Sequence, residues 1–155
     1  MSETLPRGVR NFNPGNIDRD GTQWDGLAAD QSSDPRFCVF TSAVYGIRAL
    51  IKILISYQET DGLKTVRTMI NRWAPPSEND STAYVDFVAG RMLISPDTVF
   101  DIMDWNLCAM MTEAIIAQEN ANYAYPTATI TEAMQLAGVN PPPPPQAVAG
   151  EGGST

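Results

Sequence analysis

The chain contains no histidine in 155 residues. This removes Ser-His and Cys-His catalytic pairs together with the commonest zinc ligand, so no metal or other cofactor is expected. Cysteine is nearly as scarce. Cys38 and Cys108 stand far apart with no CxxC pattern, which predicts two buried free thiols in a reducing compartment rather than a disulfide. Positive charge is sparse and unclustered, with 10 Lys and Arg against 18 Asp and Glu and a net charge of −8. Nucleic-acid affinity built on counterion release therefore has little to draw on. Long apolar runs are missing too: the longest, near Ala49 to Ile55, is interrupted by Lys52 and is too short to cross a bilayer. The opening MSETLPRG lacks the basic and apolar pattern of a secretory signal. A cytosolic site of synthesis, no nucleic-acid partner and no membrane insertion are the resulting expectations.

What is present suits one domain, over residues 1–139 with a flexible start at 1–6, followed by a tail over 140–155. Gly8, Pro14, Gly15 and Gly21, set among Asn and Asp, predict turns for the first twenty residues. Thr22 to Ala28 and Pro35 to Phe40, around the DQSSD turn, read as a small β-hairpin in which Trp24 is either a sugar-stacking platform or core. From Thr41 the pattern becomes helical. Ile47, Leu50, Ile51, Leu54 and Ile55 form a 3.6-period stripe, capped at Thr41 or Ser42 and closed at Asp61-Gly62. A second helix carries Leu63, Val66, Met69, Ile70 and Trp73 up to the Pro75-Pro76 break. A third carries Tyr84, Val85, Val88 and Met92 behind SENDS. Ser95-Pro96-Asp97 predicts a short helix through Met103, Asp104 caps a helix ending at Glu119, and Thr129 or Thr131 opens a last one closed by Gly138. The prediction is a mainly α bundle with one hairpin and a disordered tail, PPPPPQAVAGEGGST, whose Pro141–Pro145 run adopts polyproline II and is available for docking on a partner.

One carboxylate stands out. Met111, Ile115 and Glu119 are spaced i, i+4, i+8, so Glu119 shares a row with two apolar residues at the end of its helix. Apolar neighbours and the negative end of the helix dipole both favour the neutral acid, which is what a general acid requires. The competing reading is an ordinary polar helix end. Asn11, Asn13 and Asn16 either line a sugar site with amide donors and acceptors or close a structural turn.

The stretch AIIAQENANYAYP, Ala114 to Pro126, resembles the catalytic segment of soluble lytic transglycosylases and other lysozyme-like peptidoglycan hydrolases. RGVRNFNPGNI, Arg7 to Ile17, is similar to the opening of a family of small bacteriophage virion and lysis proteins, and Phe37 to Ala49 with Trp73 to Tyr84 continues that pattern. These resemblances imply an α+β lysozyme-like domain, peptidoglycan glycan strands as ligand, and Glu119 as the catalytic acid. They also imply Arg10, Asn11, Asn13, Asn16, Tyr84 and Tyr123 as glycan contacts. Tyr84 falls where flagellar-type glucosaminidases carry a functional tyrosine, or else is a core residue of its helix. Glu78 and Asp80 of the APPSEND loop are alternative acids, or caps of the next helix. In lytic transglycosylases a single carboxyl group suffices because the sugar supplies its own nucleophile. The lobe order is reversed relative to lysozyme-like enzymes, so the chain is either a circular permutation or a substrate-side lobe in which Glu119 is incidental. If incidental, the expected role is a non-catalytic virion structural protein meeting other virion proteins through Pro141–Pro145. Either product is expected to be made in the host cytoplasm and carried in the virion or reach the periplasm by another route.

Overall fold

The computed structural model describes residues 4–144. Among the described residues six helices form: α1 (Arg7–Arg10), α2 (Ala43–Glu59), α3 (Val66–Trp73), α4 (Ser81–Met92), α5 (Trp105–Glu119) and α6 (Thr127–Leu136). The predicted stripe of α2 is its buried face, with Ile47, Leu50, Ile51 and Leu54 fully enclosed. That face meets α6 and, more narrowly, α5; α4 packs between α3 and α5. Val85, Val88 and Met92 of α4 join Met111, Ile115 and Ile116 of α5 and Ile130 and Met134 of α6 in one core. Burial of these side chains, each worth about 1.5–3 kcal/mol, is what fixes the bundle. Caps set the helix starts: Asp80 accepts from the Ala83 amide, Asp104 from Leu107, and Thr65 forms a reciprocal capping box with Thr68. The last helix begins at Thr127, two residues before the nearer predicted start, and Gly138 closes it at φ 97°.

The N-terminal lobe departs from the predicted hairpin. Among the described residues it holds two isolated antiparallel bridges, Asp18 with Phe37 and Leu27 with Phe40, and no ladder. Side chains take the backbone groups that a ladder would have paired. Asn13 accepts from Ile17 N and donates to the Ile17 and Cys38 carbonyls. Gln31 accepts from Val39 N and donates to the Ala28 and Val39 carbonyls, and Asp34 accepts from the Arg36 and Phe37 amides. Backbone polar groups need partners, not necessarily strand partners. Ile17, Cys38, Phe40 and Ala49 make a second small core, against which the partly buried Trp24 packs.

The helix expected from Ser95 through Met103 is also absent. Ser95 Oγ accepts from Asp97 N as a cap would, but the following backbone is claimed by tertiary partners. Phe100 N donates to Lys64 O, Ile102 N to Gln58 Oε1, and Asp97 forms a two-point pair with Arg67. Cys38 and Cys108 are buried and unpaired, and burial pushes the Cys108 thiol up to about 11. No described helix is long and apolar enough to cross a membrane. Pro141–Pro144 are exposed and without regular structure; the rest of the predicted disordered tail, and residues 1–3 of the predicted flexible start, lie outside the described residues.

Candidate functional site

Helix α5 carries Met111 and Ile115 wholly into the core, and the third member of their row, Glu119, emerges half-buried in the last turn. Apolar side chains do not enclose it. Its two oxygens face two neutral donors: Tyr84 Oη donates to Oε2 at 2.8 Å, and Asn16 Nδ2 donates to Oε1 at 3.0 Å. No cationic side chain pairs with it among the described residues.

Each donor is held by its own element. Tyr84 lies on the core face of α4, 3% exposed, and its hydroxyl pKa is raised above the ordinary value by burial and then by the Glu119 charge. It therefore stays protonated and able to donate at any ordinary pH. Asn16 sits in the left-handed region at φ 52°, a conformation that Asn tolerates better than most residues. The loop bearing it is tied to the end of α5 by Asn120, whose Nδ2 donates to Pro14 O at 2.7 Å and to Ile116 O at 2.9 Å. Ala121 and Asn122, both at positive φ, then turn the chain away. The Asn11 to Ile17 segment thus lies against the C-terminal end of the Glu119 helix.

Glu119 borders a cleft of about 460 Å³ whose walls include Asn16, Arg36, Tyr57, Trp73 and Glu78. On its other side lies a smaller hollow of about 210 Å³ lined by Asn79, Asp80, Tyr84 and Gln118. The guanidinium of Arg36 donates to Asp18 at 2.6 Å, approaches Glu78 at 3.8 Å and stacks on Phe37. That of Arg72 pairs with Asp61 and lies over Tyr57. The cleft therefore offers amide and guanidinium donors, carboxylate acceptors and the Trp73 ring, a mixture suited to a polyhydroxylated ligand.

The predicted site residues divide. Glu119, Asn16 and Tyr84 come together, and Glu78 lines the same cleft. Asp80 borders the small hollow but serves as the α4 cap. Asn11 and Asn13 turn inward, Asn11 donating to Asp34 at 2.8 Å, so they hold the loop rather than line the cleft. Arg10 is exposed and donates to Leu5 O. Tyr123 does not reach the Glu119 cleft; it packs edge-on to Tyr125 in a separate pocket beside Arg91. Sequence reasoning passed over Arg36, Trp73, Asn79 and Asn120. Asn120 carried a local signal as the residue after Glu119, and Trp73 and Asn79 lie in the Trp73 to Tyr84 stretch of the phage resemblance; Arg36 reaches the cleft through tertiary packing.

No family model matches the chain. It is 43% identical over 88 residues to Protein P5 of Pseudoalteromonas phage PM2, covering 55% of this chain and 54% of that protein. The relative is a phage protein. The chain spans about half of its length, and the likeness agrees with the phage resemblance of the RGVRNFNPGNI opening. It does not extend to a lysozyme-like name.

Proposed function

We propose that this chain is a bacteriophage protein that cleaves peptidoglycan glycan strands, with Glu119 as the general acid. The observation that carries this reading is a carboxyl group without a cationic partner among the described residues, at a helix end on the wall of a polar cleft, positioned by Tyr84 and Asn16. Glu119 would give its proton to the glycosidic oxygen as the anomeric bond breaks. The carboxylate would then take a proton from a hydroxyl of the same sugar as that oxygen closes on the anomeric carbon. No second carboxylate is needed for this route, although Glu78 in the same cleft would favour the glycan through its hydroxyl groups. The Tyr84 hydroxyl can rotate from donor to acceptor when Oε2 is protonated, so one geometry serves both states. A permuted lysozyme-like fold, and a place in the virion from which the protein would reach the wall, belong to the same proposal.

A second reading is favoured by a specific feature: both Glu119 oxygens are occupied, Oε1 by Asn16 of the N-terminal lobe and Oε2 by Tyr84 of α4, so the side chain bridges the lobe and two helices of the bundle. On that reading Glu119 is a staple in a non-catalytic virion module. Turbidity clearing of purified cell walls by the wild-type chain and by Glu119→Gln separates the two. Gln can keep the Asn16 bond through its carbonyl and donate to a turned Tyr84 hydroxyl, so the fold is retained. Loss of a general acid lowers the rate by about two to four orders of magnitude. Undiminished clearing by Glu119→Gln, or none by the wild type, rejects the enzymatic reading.

A further inference from the structure

Tyr123 and Tyr125 belong to a pocket that shares no lining residue with the Glu119 cleft. It measures about 170 Å³ and lies between α4, α5, α6 and the α5–α6 loop. Met110, Ile116 and Ile130 form its floor, the two tyrosine rings meet edge-on at 5.0 Å, and Arg91 stands at its rim. The Tyr125 hydroxyl is buried and has no hydrogen-bond partner among the described residues, and burial pushes it up to about 12, so it remains a proton donor. A buried donor without an acceptor is costly to the fold, a cost that a bound carbonyl would remove.

The same chain carries a ligand of matching chemistry. A run of five prolines begins at Pro141, two residues after Val139, which is itself buried against the core. Proline backbone offers carbonyl acceptors and no amide donors, its rings are apolar, and the polyproline II conformation is largely pre-ordered, so little entropy is lost on docking. Paired aromatic rings with a free hydroxyl donor are the surface that recognises such segments. Pro141–Pro144 lie exposed and outside the lining of the pocket, so they do not occupy it within their own copy.

We infer that the Tyr123/Tyr125 pocket is the docking site for the Pro141–Pro145 segment of a second copy of this chain. One or two prolines seat on the Met110, Ile116 and Ile130 floor. The half-buried Tyr123 ring turns aside, and the Tyr125 hydroxyl donates to a prolyl carbonyl. A chain that gives a tail and receives one can dimerise reciprocally or extend head to tail.

The test uses the full-length chain with labelled tyrosines, titrated with a synthetic peptide of residues 140–150, alongside sedimentation over a range of concentrations. The expected result is that the Tyr123 and Tyr125 resonances shift, the chain self-associates, and Tyr125→Phe weakens both effects roughly fivefold, as loss of one hydrogen bond would. Pro142→Ala with Pro143→Ala, which leave the pocket intact, weaken self-association alike. A peptide that leaves both tyrosines unshifted, a chain that stays monomeric, or Tyr125→Phe behaving as wild type overturns the inference.

Discussion

Asn120 and Pro14, 106 residues apart, are joined by a 2.7 Å hydrogen bond from the Asn120 amide to the Pro14 carbonyl, in a buried setting. This bond and the Asn16–Glu119 contact hold the N-terminal loop on the end of α5. Asn120→Ala leaves the Pro14 carbonyl without that partner, for which the cost is about 1–3 kcal/mol. Urea unfolding should show a lower midpoint with an unchanged slope, and hydrogen exchange should speed first in the 12–17 loop.

The two donors on Glu119 can be removed one at a time. Tyr84→Phe deletes the hydroxyl and keeps the ring in its core position; Asn16→Gly deletes the amide and keeps the positive φ. If Glu119 is the acid, each variant should lower the rate of wall hydrolysis by about tenfold at a stability loss near 1 kcal/mol. The double variant should lose more rate than the product of the two, because the carboxyl group is then free to turn. Equal rates in all four proteins, measured at saturating wall substrate, would show that positioning of Glu119 does not matter.

Helices α2 to α6 were legible because their periodicity and caps are local, with the α2 stripe, Asp104 and the α5 terminus at Glu119 as read, whereas the short α1, within a stretch read as turns, was not. What was not legible depends on distant partners. Ser95-Pro96-Asp97 has every mark of a helix start, yet Gln58 and Lys64 claim the amides beyond it. The hairpin failed for a related reason, since Asn13, Gln31 and Asp34 substitute for a strand. Of the candidate site, Glu119 stands out from its row and Tyr84 and Asn16 from their motifs, but the inward turn of Asn11 and Asn13 follows from Asp34 and Cys38, which no spacing rule connects to them.

Two glycines on helices make opposite predictions. Gly46 on α2 lies where any Cβ would overlap the Phe12 carbonyl oxygen, a backbone atom that cannot move aside cheaply. Gly46→Ala should destabilise by about 3 kcal/mol, at the upper end of ordinary overpacking. Gly90 on α4 has nothing within 4 Å of its missing Cβ, so Gly90→Ala should stabilise by about 0.5–1 kcal/mol through helix propensity alone. Thermal unfolding of both variants checks the pair, and a Gly46→Ala protein as stable as wild type would contradict the close crossing of α2 and the 12–13 backbone.

Acid should unfasten the N-terminal lobe through Asp34. Its carboxylate is 3% exposed and accepts two hydrogen bonds from Arg7 at 2.7 Å, with further bonds from the Asn11 amide and the Arg36 and Phe37 backbone amides. The Arg7 bonds, against the opposing effect of burial, hold its pKa well below the ordinary carboxylate range. A folded-state pKa below the unfolded one means that the stabilisation is complete above the unfolded value, about 3.9, and is lost as pH falls below it. From pH 7 to about 5, Asp34 should therefore contribute no slope; below that, the unfolding temperature should drop as protons are taken up on unfolding. Asp20, Asp30, Asp97 and Asp101 are lowered too and act in the same window, so Asp34→Asn should flatten the acid limb only in part. At pH 7 the same variant should be less stable by roughly 1–3 kcal/mol, since donors built around a carboxylate then meet an amide, with the contribution of the half-exposed Arg7 reduced by solvent. Thermal melts of wild type and Asp34→Asn from pH 7 to pH 2.5 measure both effects. Parallel curves would show that Asp34 is not the group whose titration loosens the lobe.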